Sequence, residues 1–492
     1  MPGVTITTAV RTGPAITGIA PDSTFFVVGQ TERGTDSVAK RVSSLDEYTT
    51  YYGGYEADKY TYSTVRAFFE EGGATCYVAR ATATAAVKAF RDVTVTSAAT
   101  GIKLTAVGKG TWGNNIAVTV TVAGGLMDIS LTYSGVEFFA GSSFTNITAL
   151  VTALQNDAIV ANYVTVALLA GTLGTEDLGA VTGSLATGTN GSIAISDHTS
   201  ALAYFTGDLG GGCVAIPGVA TGTSNVDNPV YTALKANAVT FNRIALCSFA
   251  NDQTVSAVRT SSAAFGAAGD AGHEHVAFFY PWVQIPSGSS GVTLQIPPEG
   301  FAAAARSRTH NSTGPWKPYA GVSSNAKFVT GVVTAVSQED GDLLDGSRVN
   351  PIRVISNDIR IYGARSHSLV TEQWRFITAR EVINYVVNQA NIALEPLVFS
   401  TIDGRKTIYA DITAALQSVL EPVRIAGGLY EGFNALGKRL DYGYTIKVDD
   451  SLNPLSQLES GLIKAQVGIR VSTVGDKITV NIVKSNLTTA LV

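Results

Sequence analysis

The sequence is poor in charged residues and has no cluster of positive charge. Asp, Glu, Lys and Arg make up 15% of its 492 residues, whereas about 25% is usual for soluble domains. A chain so short of charge often hides much of its surface against partners. The 34 basic and 39 acidic residues give a net charge of −5. Because there is no basic run and no interleaving of arginines with aromatic residues, nothing indicates binding to nucleic acid or to an anionic membrane.

Cysteine is scarce, and each cysteine stands alone in the sequence. Cys76, Cys213 and Cys247 all lie in apolar runs, which is typical of buried thiols in strands rather than of a disulfide or a metal site. This usage agrees with folding in a reducing cytoplasm. The first residues lack the charged segment and apolar core of a signal peptide. No apolar stretch approaches the roughly 18–20 residues of a membrane span.

The sequence also lacks a convincing catalytic constellation. The string GFNALGKR, Gly432 to Arg439, has the spacing of a phosphate-binding loop. However, Arg439 stands where Ser or Thr would hold Mg²⁺, and the preceding residues have helical rather than strand character. We therefore expect a basic turn that exposes Lys438 and Arg439 to a partner.

The histidine and acidic motifs point to no site either. The HEH segment at 273–275 is expected to lead into a strand, because adjacent strand residues face opposite sides and cannot share a metal. His198, His310 and His367 are isolated in the sequence. The acidic segment 340–348 lacks the ligand spacing of an EF-hand. Since G-x-S-x-G and H-E-x-x-H are also absent, we assign no catalytic residue, cofactor or metal, and a structural role is favoured.

Alternating strand and helix patterns predict a multidomain α/β (α+β) protein with a discontinuous core. Residues 21–84 and 196–330 share this pattern, so we assign them to one middle domain with a mainly parallel sheet covered on both faces. Residues 85–195, rich in Thr, Ala, Gly and Val, are predicted as an inserted, mostly β outer domain. Residues 331–476 are predicted as a C-terminal domain with two long helices, the first ending at Pro396.

Both ends of the chain have the alternating pattern of strands. Val4 to Val10 alternate apolar and polar residues, and a Gly/Pro-rich connector follows. Residues 465–484 are predicted as a hairpin that turns at Gly475–Asp476. Chain ends usually fray unless something ties them down. From the residues alone, we rank pairing within the chain ahead of pairing with another chain.

Several motifs, in order along the chain, together resemble the contractile tail sheath protein family of phages and phage-tail-like injection systems. The residues that carry the resemblance are the Trp112 loop GKGTWGNN, Tyr280-Pro281-Trp282, Pro297-Pro298-Glu299-Gly300, the Ala-rich helix after it, Gly314 to Ala320, the strand DIRIYGARS and the segment EPVRIAGGLYEGFNA.

The resemblance implies a structural subunit and no enzyme. Subunits of that family stack as hexameric rings in a helical array around a tail tube, and they contract to drive the tube through the target cell envelope. The implied partners are further copies of the chain, the tube protein, and the baseplate and tail terminator proteins. Direct contact with nucleic acid and insertion into a membrane are not implied. The implied location is the tail of the virion, after assembly in the cytoplasm of the host bacterium.

The resemblance also gives a role to the two terminal arms, residues 1–20 and 477–492. A strand added to a neighbour's sheet is held by backbone hydrogen bonds and can move as a unit about its linker. With the family in view, exchange between subunits is favoured over pairing within the chain. The C-terminal domain is expected on the inside, with Lys438 and Arg439 facing an acidic tube surface. The residues implied in strand exchange are Val4, Ile6, Thr8, Val10, Ile478, Val480, Ile482 and Leu487.

Two other functions stay open from the sequence. One is an α/β enzyme with a β insertion that binds a phosphate-containing ligand at its glycine-rich turns. The other is a β-rich surface adhesin, which would need an export signal that we do not find.

Overall fold

The computed structural model describes residues 23–476 apart from 97–98, 220–227, 268, 270 and 288–290, together with the backbone of residues 5–6 and 9–10. The chain begins with two short strands that pair with each other, and an α/β unit follows. These elements are β1 (Thr5–Ile6), β2 (Ala9–Val10), β3 (Thr24–Gly29), β4 (Ala39–Val42), α1 (Leu45–Tyr52), α2 (Tyr60–Glu70) and β5 (Thr75–Arg80).

The residues predicted as an insertion pack around a hydrophobic cluster of their own. The Trp112 loop is a short 3-10 turn between two strands, and the Trp112 side chain is buried in that cluster. Its elements are β6 (Phe90–Thr94), β7 (Gly101–Ala106), β8 (Ile116–Ala123), β9 (Leu126–Tyr133), β10 (Val136–Phe144), α3 (Ile147–Asn156), β11 (Val164–Leu168) and β12 (Val181–Ser184). They form the sheets β10-β9-β8-β12 and β11-β7-β6.

The chain then returns to alternating helices and strands. The elements of this part are α4 (Ile195–Ala201), β13 (Gly212–Ala215), α5 (Pro229–Phe241), β14 (Arg243–Ser248), α6 (Val255–Ala267), β15 (Val276–Tyr280), β16 (Val283–Pro286), β17 (Thr293–Ile296), α7 (Glu299–Ser312), β18 (Gly331–Val332), α8 (Gln338–Gly346), β19 (Val349–Ile355) and β20 (Asp358–Ile361).

The last part of the chain, which we call the C-terminal unit, has a small core of its own around α10 and α11. Within the described ranges, no helix combines the length and apolar character that a membrane crossing requires. The elements are α9 (Thr371–Trp374), α10 (Ile377–Leu394), α11 (Thr407–Ile425), β21 (Gly432–Phe433), β22 (Arg439–Asp441), β23 (Tyr444–Lys447), α12 (Leu455–Glu459) and β24 (Gln466–Ile469).

One eight-stranded sheet organises the molecule, with strand order β20-β19-β15-β14-β13-β3-β5-β4. The six strands from β19 to β5 run parallel, and β20 and β4 add antiparallel edges. Separate hydrophobic clusters cover the two faces, as predicted for a parallel sheet. Cys76, Cys213 and Cys247 are buried in its strands with free thiols, which confirms the prediction for the cysteines.

The domain boundary predicted at residue 330 does not match the main sheet. β19 pairs with β15 and β20 pairs with β19, so residues 349–361 complete the sheet of the middle domain. Ile352 and Ile361 are buried in the same cluster as Phe25. The sequence pattern could not place β19 in this sheet, because its parallel partner β15 lies about 70 residues earlier, and the antiparallel edge strand β20 follows β19 directly.

A buried ion pair joins the main sheet to the C-terminal unit. Arg306 on α7 donates from Nε to Glu381 Oε1 at 2.7 Å and from Nη2 to Glu381 Oε2 at 2.6 Å. Both side chains are about 1% exposed. A two-pronged arginine–carboxylate contact fixes relative orientation as well as distance. It therefore sets how α10 packs on α7.

We expect Glu381→Gln to destabilise the protein by about 3–5 kcal/mol, because it leaves the buried guanidinium of Arg306 without its counter-charge. The double variant Arg306→Met/Glu381→Leu should recover most of that loss, since it removes both charges. Urea titrations followed by circular dichroism would measure both. A double variant as unstable as the single one would show that the charges themselves are not the cause.

A buried carboxyl at the start of α7 is the second unusual charge of the core. Glu299 is 2% exposed, and Ser248 Oγ donates to its Oε1 at 2.6 Å. Burial raises the pKa of Glu299 to about 7. The hydrogen bond from Ser248 lowers the pKa, but it offsets only part of the effect of burial. The folded state therefore holds this proton more tightly than the unfolded state, whose glutamate pKa is about 4.3.

Because the folded pKa is the higher one, the contribution of Glu299 to stability should fall as the pH rises from about 4.3 to about 7. We expect Glu299→Gln to keep the contact with Ser248, to flatten this pH dependence and to raise stability at pH 8 by about 2–3 kcal/mol. The control is Glu339→Gln on the exposed face of α8. If the thermal midpoints of the wild type, Glu299→Gln and Glu339→Gln depend on pH in the same way, Glu299 is not the group that causes the pH dependence.

Candidate functional site: an open two-stranded sheet

The C-terminal unit contains a small sheet that is made of β23 and β24 alone. The strands are antiparallel, with Tyr444 opposite Ile469 and Ile446 opposite Val467. These four side chains are partly buried against the core formed by α10 and α11. The alternate residues are exposed, so one face of the sheet packs inward and the other faces outward.

The sheet is clamped to α11 by a tyrosine. The Tyr444 hydroxyl donates to Glu421 Oε1 at 2.5 Å. Burial, reinforced by this carboxylate, raises the pKa of Tyr444 to about 12, so the phenol stays protonated and remains a donor. The sheet is thus held on the unit by its face, which leaves its edges out of the contact.

Both edges of the β23–β24 sheet lack a strand partner within the described part of the chain. Arg470 N donates to Gly443 O at 2.7 Å, which makes 443 and 470 a hydrogen-bonded pair of the ladder. By the alternation of antiparallel ladders, the backbone groups of Val467 and Ile469 point away from β23. Those of Tyr444 and Ile446 likewise point away from β24. Two strands are marginal on their own, and three or more are needed for independent stability.

Two other sheet edges, those at β20 and β10, are protected. Along the outer edge of β20, Ala326 N donates to Ile359 O at 2.9 Å and Ser324 Oγ receives a bond from Ile361 N at 3.0 Å. The edge strand β10 has two register shifts against β9, and bulges of that kind hinder pairing with another chain. The regular, uncovered edges of the β23–β24 sheet are therefore suited to accept further strands.

The sequence pattern predicts the strand β24, but it does not predict the pairing of β24 with β23. Within the described residues, Gln466–Ile469 pairs with Tyr444–Lys447 across the intervening α12, a partner that the sequence pattern did not indicate, and the hairpin predicted for residues 465–484 stays a prediction. The apolar alternation of Tyr444 and Ile446 is too short a signal to find the strand from sequence. The predicted second strand of the hairpin begins at residue 477, outside the described residues.

The residues predicted for strand exchange are mostly outside the described part of the chain. Ile6 and Val10 lie in β1 and β2, whose backbones pair with each other as Thr5–Val10 and Ile6–Ala9. In the single chain, the described residues of the predicted strand from Val4 to Val10 thus form two short strands that pair with each other. A backbone without a neighbour's sheet takes the nearest partner. The residues outside the described part are Val4, Thr8, Ile478, Val480, Ile482 and Leu487, so their exchange stays a prediction.

The GFNALGKR string forms a β-hairpin and not a phosphate loop. Gly432–Phe433 pairs with Arg439–Asp441, so the strand–loop–helix arrangement that aims N–H groups at a phosphate is missing. Arg439 contacts Glu431 at 3.2 Å and lies over the Tyr442 ring at 4.6 Å. The turn is basic and exposed, as predicted for Lys438 and Arg439.

The same hairpin carries a dense set of exposed apolar side chains, which the sequence analysis missed. Leu436 at its turn is 92% exposed. We use the name apolar hairpin face for the exposed apolar residues of this hairpin and of the chain on either side of it, which are Ile425, Tyr430, Phe433, Leu436, Leu440 and Tyr442. Exposed apolar side chains can contribute to contact with a partner where they lie together.

The histidines belong to the core. His273–His275 form a turn that leads into β15, as predicted. The Nδ1 atoms of His273 and His367 lie 2.9 Å apart, and Ser262 Oγ lies 3.0 Å from His367 Nε2. Burial and the positive charge of Arg348 lower the pKa of His367 to about 3. Across the described residues, no three His, Cys, Asp or Glu side chains are grouped to hold a metal ion.

A small cavity lies where the insertion meets the ends of β3 and β5. Its volume is about 80 Å³, and Lys59, Arg80 and Lys109 are among the residues that line it. Ligand sites for drug-sized molecules are usually about 300–1,000 Å³. Arg80 is also occupied, since it donates to Thr31 Oγ1 and to the Lys109 carbonyl.

No family model and no curated protein matches the chain. Solved structures do match. A sheath tail protein from Listeria innocua is 12% identical with a TM-score of 0.61, covering 88% of this chain and 90% of that one. The contracted helical sheath of the anti-feeding prophage is 16% identical with a TM-score of 0.54, covering 98% and 99%.

The contracted sheath complex of the extracellular injection system PVC is 14% identical with a TM-score of 0.55, and the match covers 98% of this chain and 99% of that one. These structures include the family that the sequence motifs resemble, and the predicted α/β multidomain class is confirmed. The chain therefore has the fold of contractile sheath proteins over nearly its whole length.

Proposed function

We propose that this protein is the structural subunit of a contractile sheath. The observation that carries the proposal is the β23–β24 sheet, which has two regular, uncovered edges in a fold shared with sheath proteins. Each copy would complete its sheet with strands donated by neighbouring copies. Because donor and acceptor are different parts of the chain, such a contact is heterologous, and its repetition builds a ring or a helical array of many copies instead of a two-fold dimer.

The donors are the two terminal segments. In residues 477–492, Ile478, Val480 and Ile482 alternate with polar residues, so one face of an added strand would continue the inward apolar face of the acceptor sheet. Its ladder would bond the outward backbone groups of Val467 and Ile469 or of β23. Backbone bonds of this kind persist while side-chain contacts between subunits are exchanged.

The wider assembly follows from this role. Rings of six copies would stack around a tail tube, bounded by baseplate and terminator proteins, in a phage tail or a similar particle assembled in the bacterial cytoplasm. No nucleotide hydrolysis enters the mechanism, and we assign no catalytic residue. The energy for contraction would be stored in the contacts made at assembly.

The apolar hairpin face is the surface that we assign to the tube. Leu436 at the turn is flanked by Lys438 and Arg439, and Arg439 is already paired with Glu431. Lys438 is therefore the cation of this turn that an acidic partner would neutralise. An apolar centre with a charged rim is the usual anatomy of a protein interface.

The first test blocks the edge of β24 without breaking its own hairpin. Val467→Pro removes an N–H that points away from β23, a position where an edge strand tolerates proline. We expect folded subunits that no longer form rods in negative-stain microscopy. Val467→Ala is the matched control, because it loses the same packing but keeps the N–H. Deletion of residues 477–492 should give the same defect.

Rods of Val467→Pro that match those of Val467→Ala would contradict strand addition at this edge. If the wild-type chain itself forms discrete particles under every condition, the sheath role is wrong.

The second test concerns the tube. Lys438→Glu should weaken co-sedimentation of the protein with purified tail tubes by about three- to tenfold at ~0.1 M salt, and the difference should shrink at ~0.5 M salt as the charges are screened. Lys464→Glu, an exposed lysine away from the hairpin, is the control. If Lys438→Glu and Lys464→Glu weaken co-sedimentation equally, the cause is the change in net charge, and the assignment of this turn to the tube is wrong.

A further inference from the structure

The last described residue, Asp476, contacts the rest of the fold through its side-chain carboxylate. Ser472 N donates to Gly428 O at 3.0 Å. After it, Thr473, Val474 and Gly475 form no hydrogen bond with any residue in the described ranges. Asp476 then contacts two arginines, with its Oδ2 at 3.3 Å from Arg365 Nη2 and at 3.1 Å from Arg375 Nη2. The chain from 473 to 475 therefore spans a gap between two fixed points.

The two arginines are brought together by the backbone. Arg365 and Phe376 form an isolated antiparallel bridge, and Ser366 N donates to Arg375 O at 3.2 Å. Both guanidinium groups lie beside the Phe376 ring, at 5.2 Å for Arg365 and 5.4 Å for Arg375. Arg365 and Arg375, which are ten positions apart in the sequence, thus place their two positive charges beside the Asp476 carboxylate.

The charges at this point balance only when Asp476 is included. Arg365 donates from Nε to Asp345 Oδ1 at 2.6 Å and from Nη2 to Asp345 Oδ2 at 2.5 Å. The Arg365 side chain is 9% exposed, and its two bonds to Asp345 hold it independently of Asp476. Two cations and one anion leave one positive charge, which the Asp476 carboxylate neutralises. A network of several charges can contribute more than an isolated surface pair.

We propose that Asp476 is an ion-pair latch that fixes the root of the C-terminal segment on its own subunit. When the latch is closed, the segment leaves the fold at residue 476, beside α8 and α10. When it is open, residues 473–476 join the segment, and its reach grows by about 13 Å at about 3.3 Å per residue. The latch itself follows from the contacts above. Its effect on assembly rests on the proposed exchange of the C-terminal strand.

The latch is tested first on the isolated full-length subunit. Elastase cleavage at Val474, followed by mass spectrometry, reports opening of the 473–476 segment. We expect Asp476→Asn and Arg375→Gln to raise the cleavage rate about five- to tenfold, and Asp476→Glu to stay near the wild type. Salt of ~0.5 M should raise the wild-type rate towards that of Asp476→Asn and leave that variant unchanged.

The matched control is Asp450→Asn, which removes an exposed ion pair with Lys406 that involves neither Asp476 nor its two arginines. Equal cleavage of Asp476→Asn and Asp450→Asn would overturn the latch. A rise in cleavage for both Asp476→Asn and Asp476→Glu would also overturn it, because a longer carboxylate should still reach the arginines.

The second readout is the axial repeat of assembled rods in electron micrographs. If the latch acts in the assembly, Asp476→Asn should change the axial repeat of the rods, or change the fraction of shortened rods at least twofold, relative to Asp450→Asn. If cleavage changes but wild-type rods never form, the latch stands and the sheath role fails. If wild-type rods form and cleavage does not change, the sheath role stands and the latch fails.

Discussion

The backbone N–H and C=O groups along the edges of the β23–β24 sheet are the constraint on which the function depends. Buried backbone groups must be paired, and an uncovered edge strand is a template for another strand. At β20 the fold covers the edge, and at β10 it distorts the edge. In the β23–β24 sheet it leaves the edges regular while it anchors the sheet by its inner face to α11. In the proposed sheath, a chain built in this way would be completed by its neighbours.

The rest of the structure keeps that sheet in a fixed position on a rigid body. The parallel eight-stranded sheet supplies the body, and the buried Arg306–Glu381 contact sets the orientation of α10 on it. The β23–β24 sheet rests on α10 and α11 in turn. A force applied to an added strand is thus transmitted through backbone bonds, one small core and one ion pair to the main body. Such a path suits a subunit that must move as a unit while its contacts change.

The sequence predicted what is encoded locally. The buried strands of the main sheet, the helices α2, α10 and α11, and the burial of the three cysteines all follow from short-range apolar patterns. Partners that are distant in the sequence could not be predicted. Glu381 and Asn384 on α10 are buried although they interrupt its apolar stripe, because the counter-charge of Glu381 comes from Arg306, 75 positions earlier. His273 and His367 meet across 94 positions for the same reason. The apolar alternation of β23 is too short to predict that strand, whereas the longer alternation of the terminal arms led to their prediction as strands.

The most direct test is the hydrogen exchange of individual amides before and after polymerisation. If neighbouring copies complete the sheet, the outward amides at one or both edges, those of Val467 and Ile469 or of Tyr444 and Ile446, should exchange at least about a hundredfold more slowly in assembled rods than in free subunits. Inward amides such as that of Gly468 are bonded in both states and should change far less. Equal exchange of the outward amides in rods and free subunits would contradict the account.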